Sequence, residues 1–250
     1  MKNLIILLAV ALAACGGGGG GGSASPAQSN ASTQTTPIGI AMYGDSTMAG
    51  YTYPNGPCGA DKTGACDPST AVITPDNAPY NMAVTLQQMG HVVTVTNGGI
   101  SGAEIADLFA GEHGYTQPWA QTLPSVTARI VVANYGINDS VRGDETPQQY
   151  AALLSEWVDS VRAAGKIPVL EEPNPVCRAG FESLDTYVSE MDAVASQKNV
   201  PLIGQYGYIK SLPGWQDLLS DCVHPRPALY EIKGQREAQV IGPLLKQLGG

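Results

Sequence analysis

Five short apolar runs, rich in β-branched residues and mostly without polar alternation, recur along the chain: 38–43 (IGIAMY), 91–96 (HVVTVT), 129–134 (RIVVAN), 167–171 (IPVLE) and 201–205 (PLIGQ). A strand covered on both faces needs no polar alternate positions, so these runs predict parallel strands buried between helices. Between them the apolar period becomes helical. The clearest case is TPQQYAALLSEWVDSVRAAG, where Thr146 suits an N-cap, Pro147 the first helical position and Gln149 the far side of a capping box. Tyr150, Leu153, Leu154, Trp157, Val158 and Val161 then form one stripe, and Gly165 ends the helix. That stripe reads as core and not as a cofactor site. A second helix is expected over 184–196, with Leu184, Tyr187, Val188, Met191 and Ala195 inward, and a third over 228–248. Shorter ones are expected over 81–89 and 103–109. Strand and helix alternate about five times, without internal repeat or second domain, which predicts an open parallel sheet with helices on both sides, an α/β/α sandwich. Ligands of such sheets bind beyond the carboxyl ends of the strands.

The first residues break this pattern. MKNLIILLAVALAAC carries Lys2, an apolar run from Leu4 to Leu12 and small residues before Cys15. The run is too short to span a bilayer and reads as an export signal, 1–14. Its ending, LAAC, resembles the lipobox of bacterial lipoproteins, which implies lipidation of Cys15 and a membrane-anchored place in the cell envelope, at the periplasmic or surface face of the outer membrane. The alternative is an ordinary signal peptide cleaved within the glycine run. The stretch from Cys15 to Pro37 is glycine- and serine-rich without periodicity, so it is expected to act as a flexible tether with a mean reach of about 25 Å.

Composition narrows the function. The 250 residues are 43% hydrophobic, enough for a core, and carry a formal charge of −9. No basic cluster exists to displace counterions, so a nucleic-acid partner is not expected. Apart from Cys15, the cysteines are Cys58, Cys66, Cys177 and Cys222. Four cysteines in an exported chain suggest disulfides. Three pairings exist, and Cys58–Cys66 with Cys177–Cys222 is the one expected. His91, His113 and His224 lie far apart, so no metal is expected, and nothing calls for a cofactor. A monomer is expected.

Candidate chemistry gathers just after the strands. IAMYGDSTMAGY puts Asp45 and Ser46 at the end of the first. Gly39, Gly44 and Ser46 have phosphate-loop spacing, but Asp45 stands at the lysine position and would repel a phosphate. A helix cap or a nucleophile remains. A nucleophilic serine needs a base, an orienter for the base and oxyanion donors. SDCVHP offers Asp221 and His224 in one loop, which a bridge from Cys222 to Cys177 would hold. TNGGISGAEI follows the second strand, its glycines leaving N–H groups open, and NYGINDS follows the third with Asn138 and Asp139. Each alone is an ordinary turn. Together they project from one sheet edge. Asp139 reads as structural, and Arg142 as a substrate contact or, preferably, as plain surface.

The blocks GDS (Gly44 to Ser46), ISG (Ile100 to Gly102), GIND (Gly136 to Asp139) and DCVH (Asp221 to His224) resemble, in order, those of the SGNH or GDSL hydrolase superfamily. The resemblance implies a flavodoxin-like α/β/α sandwich over 38–250 and ester hydrolysis. It assigns Ser46 as nucleophile, Asp221 and His224 as the rest of a triad, and the N–H groups of Ser46 and Gly102 with the Asn138 amide as oxyanion donors; Gly99 is the rival for the glycine. Thr47 departs from the signature leucine, and 52–79 is an unusually long loop, either a binding surface or decoration. The expected substrate is a small-molecule or glycan-linked ester, small-acyl before long. A lipase or lysophospholipase, or an acyl thioesterase, is the alternative among enzymes; an inactive, lipid-anchored glycan-binding module is the alternative outside them.

Overall fold

The structure, a computed structural model, describes residues 36–54, 56 and 66–249. The expected leader, Cys15, the tether through residue 35 and Cys58 lie outside the described residues. In chain order the elements are β1 (Ile38–Gly44), α1 (Ser46–Ala49), β2 (Tyr51–Thr52), β3 (Val72–Ile73), α2 (Ala78–Gln88), β4 (Val93–Gly99), α3 (Ile105–Ala110) and α4 (Trp119–Thr122). There follow β5 (Ile130–Asn134), α5 (Asp139–Arg142), α6 (Pro147–Ala163), β6 (Ile167–Glu171), α7 (Leu184–Lys198), β7 (Leu202–Ile203), α8 (Tyr206–Ser211) and α9 (Pro227–Gln247).

Five strands form one parallel sheet in the order β4-β1-β5-β6-β7. Because successive residues of a strand face opposite ways, the apolar runs feed two cores. Ile40, Met42, Val132 and Val169 pack with α2 and α9 through Met82, Leu86, Ile241 and Leu245. Ala41, Val131, Ala133 and Leu170 pack with α3, α4, α6 and α7 through Leu108, Trp119, Trp157 and Met191. The result is a flavodoxin-like three-layer sandwich. The chain leaves β1 for one edge and crosses back to β5, so the strand order reverses between β1 and β5. Helices that depart to opposite faces open a crevice at such a point, beyond the carboxyl ends.

The capping box of α6 forms in both directions: Gln149 N donates to Thr146 Oγ1 at 3.2 Å and Thr146 N to Gln149 Oε1 at 2.8 Å. Elsewhere the elements depart from the hydrophobic pattern. β4 starts two residues later than expected and continues through Asn97, Gly98 and Gly99, which pair with Met42, Tyr43 and Gly44. Those glycines belong to the ladder because nothing larger fits: a Cβ on Gly99 would lie 2.3 Å from Ala49 N. α2 starts three residues earlier than expected, since Asn77 caps it by accepting Tyr80 N at 3.0 Å. The stretch 52–79 holds the small antiparallel pair β2–β3 and a 3₁₀ turn at Pro68–Thr70. α1, α4, α5 and α8, of four to six residues, are too short to show a period.

Candidate active site

At the end of β1 the chain turns into α1 under close constraint. Gly44 has no room for a side chain, because a Cβ there would lie 2.5 Å from Asn134 O. Asp45 caps α1, its Oδ1 accepting Thr47 N at 2.7 Å and Thr47 Oγ1 at 2.8 Å. Burial raises the Asp45 carboxyl above its ordinary value, against these bonds. Since Asp45 does the capping, the Ser46 hydroxyl is left for another partner. That partner is His224, whose Nε2 lies 2.8 Å from Ser46 Oγ.

His224 belongs to a loop closed on itself. Leu219 and Pro225 bridge, Ser220 N donates to His224 O at 2.8 Å, and the Cys177–Cys222 disulfide ties the loop to residues beyond β6. Asp221 Oδ1 accepts the backbone N–H groups of Val223 at 3.1 Å and His224 at 2.7 Å, and Oδ2 lies 2.9 Å from His224 Nδ1. Burial alone would raise the Asp221 carboxyl. The hydrogen bond and charge of His224, its backbone N–H and Arg178 outweigh burial, and the group titrates below its ordinary value. An ionised Asp221 can only accept, so the hydrogen bond runs from Nδ1–H to Oδ2 and leaves the Nε2 lone pair facing the Ser46 hydroxyl. The other cysteine among the described residues, Cys66, is disulfide-bonded, and its expected partner Cys58 is outside them.

The turn after β4 joins this edge through Ile100 N, which donates to Gly44 O at 2.9 Å. Gly102 has φ +78°, and the His113 ring, bonded to Ser101 O at 3.0 Å, fills the space where a Cβ would stand. Glycine is therefore required on two counts. The Gly99 N–H is occupied by Asn97 Oδ1 at 2.9 Å, whereas the Gly102 N–H meets no acceptor among the described residues. After β5, Asn138 Nδ2 donates to Ala103 O at 3.0 Å, which fastens the Asn138 turn to the Gly102 turn.

Asp139 is fully buried, with Oδ1 accepting Ile105 N at 3.0 Å and Oδ2 accepting Gly136 N at 2.8 Å. It locks the same two turns from below. Burial and the neighbouring Asp139 push the Glu145 carboxyl up to about 9, so at neutral pH it is protonated. Arg142 is not loose surface. Its guanidinium lies 3.1 Å from Glu104 and Asp144 and 3.0 Å from Asp107, and Nη1 donates to Gly102 O at 3.1 Å.

Beside the His224 loop a cleft of about 370 Å³ is lined by Thr52, Tyr53, Val72, Ile73 and Arg226, among others. The Tyr53 ring centroid is 5.8 Å from that of His224, so one residue of the cleft lining stands against the imidazole. Sequence reading missed Arg178, which holds Asp221, and His113, which backs Gly102. Arg178 follows Cys177 directly, and the expected Cys177–Cys222 pairing was the one signal that would have found it.

A hydroxyl, an imidazole and a carboxylate in hydrogen-bonded series, at the crevice of a flavodoxin-like sheet, define serine-hydrolase chemistry of the SGNH type. The chain belongs to the GDSL-like lipase/acylhydrolase family, whose model matches residues 42–232. Among curated proteins no match is found. Several solved structures share the fold. An aryl esterase from M. smegmatis matches with TM-score 0.63 and 19% identity, over 83% of this chain and 99% of its own. A lipase/acylhydrolase from Enterococcus faecalis matches with TM-score 0.61 and 19% identity, over 83% and 96%. An acetylxylan esterase from Geobacillus stearothermophilus matches with TM-score 0.60 and 21% identity, over 82% and 94%.

Proposed function

We propose that the protein is a serine esterase that hydrolyses carboxylic esters, short acyl groups before long ones, through an acyl-enzyme. The observation that carries this reading is the unbroken series Ser46 Oγ, His224 Nε2, His224 Nδ1, Asp221 Oδ2, with contacts of 2.8 and 2.9 Å. As Ser46 Oγ attacks the ester carbonyl, His224 Nε2 takes its proton, and Asp221 steadies the imidazolium. The oxyanion is received by the N–H groups of Ser46 and Gly102 and by the Asn138 Nδ2 proton that Ala103 O does not use. His224 then hands its proton to the departing alcohol. Water, deprotonated in turn by His224, releases the acid and restores the hydroxyl. The preference for short acyl groups is supported by the polar character of 52–79, which has few large apolar residues to line a long acyl channel.

A fluorophosphonate probe is expected to label the wild-type chain and not Ser46→Ala. An ester panel from acetyl to dodecanoyl, with Ser46→Ala as blank, is expected to peak at two to four carbons. An unlabelled, folded wild-type chain would leave the binding-module reading in possession. A peak at long acyl chains would transfer the protein to the lipase or lysophospholipase class.

A further inference from the structure

Every acceptor direction of the Asp221 carboxylate is occupied. Oδ1 takes two backbone N–H groups, and Oδ2, besides facing His224 Nδ1, accepts Arg178 Nη2 at 2.8 Å. The same Nη2 donates to Asp221 O at 3.0 Å. Asp221 is 1% exposed and Arg178 46% exposed, so one edge of the guanidinium closes over a buried carboxylate while the other stays in water. Neighbouring residues deliver Arg178 to this place. Cys177 precedes it and is bonded to Cys222, which follows Asp221, and Cys177 N donates to Cys222 O at 2.9 Å. Two otherwise separate segments are thus fixed side by side.

We infer that Arg178 is a positioning residue acting on His224 through Asp221: it fixes the carboxylate with Oδ2 toward the imidazole, so that the ring keeps one orientation toward Ser46. The inference rests on the roles proposed above for Ser46, His224 and Asp221. A carboxylate held from both sides keeps the imidazole in a single orientation, which an attacking hydroxyl requires. Other charged or titratable groups face this region: Asp45 with Lys233 behind it, Tyr51 in β2 and Tyr53 just after it, Asp67 near Tyr53, and Arg226 and Tyr230 of the α9 segment. Apart from His224, Arg178 alone among the described residues places a side-chain donor on Asp221.

The test compares Arg178→Met, Arg178→Gln and Arg178→Lys with the wild type. kcat and KM for a soluble short-chain ester are measured from pH 4 to 9, together with thermal melting. Loss of the guanidinium in the Met and Gln variants is expected to lower kcat about tenfold across the pH range, with KM within about twofold. Arg178→Lys is expected to restore only part of kcat, because an ammonium lacks the planar fork. A merely structural ion pair would lower the melting temperature and leave kcat unchanged well below it. If the wild type is labelled at Ser46 and kcat of the folded Met or Gln variant equals that of the wild type, this inference falls alone. If the wild type is not labelled, the inference falls together with the proposed function. Should Arg178→Met fail to fold, the Gln and Lys pair decides.

Discussion

Asp45 and Ser46 stand at a strand-to-helix junction where either side chain suits the cap. In the folded chain Asp45 accepts Thr47 N, and Ser46 Oγ is directed at His224. The division of labour between two adjacent residues is therefore decided by a contact 178 positions away in sequence. Asn138 shows the converse. One of its amide protons is spent on Ala103 O, a structural bond worth about 1 kcal/mol, and the other is the one assigned to the oxyanion in the proposed reaction. Asn138→Ala is expected to lower kcat by about 10² to 10³ while costing only about 1 kcal/mol of stability. Hydrolysis rates set beside a urea titration check this, and a folded variant with near-normal turnover would remove Asn138 from the oxyanion site.

At the scale of elements, the long helices were legible because each writes its own period and boundary signals: the α6 stripe, with its Thr146 and Gln149 box, is an entirely local statement. β4 was misread at both ends because its limits depend on what lies beside it. His91 is drawn into the turn after α2, and Gly98 and Gly99 extend the strand because Tyr43 and α1 press against them. The His224 loop is the element on which the proposed chemistry depends most. Its bridge to Cys177 closes 45 residues and, by chain entropy, contributes about 4 kcal/mol. In the double variant Cys177→Ala with Cys222→Ala, activity is expected to decline with temperature well before circular dichroism reports unfolding. Coincident loss of the two signals would show that the loop holds its shape without the bridge.

Over the whole molecule, the sheet order reverses between β1 and β5, and that reversal gives Ser46 and Asn138 a common rim. Beneath the rim the core holds an ionisable cluster. Lys233 and Glu237 of α9 and Glu171 at the end of β6 are fully buried, with Lys233 Nζ 3.7 Å from Glu171 Oε1. Burial and Glu171 raise the Glu237 carboxyl well above its ordinary value, and burial raises that of Glu171, against the charge of Lys233. Lys233→Met strands Glu171 without a cation and is expected to cost about 3–5 kcal/mol; adding Glu171→Gln should recover most of it. Urea unfolding of the single and double variants measures both steps, and a single variant as stable as the parent would show that Lys233 is dispensable.

The sequence by itself determined the two-sided sheet, the principal helices and the serine, imidazole and carboxylate, because burial patterns and local caps are properties of contiguous residues and because the functional blocks follow the strands in order. The tertiary structure decided which side chain caps α1, which glycine N–H is unoccupied and which cation holds Asp221. Those outcomes depend on atoms brought together from segments tens of residues apart, and no local pattern records a meeting that only the folded chain brings about.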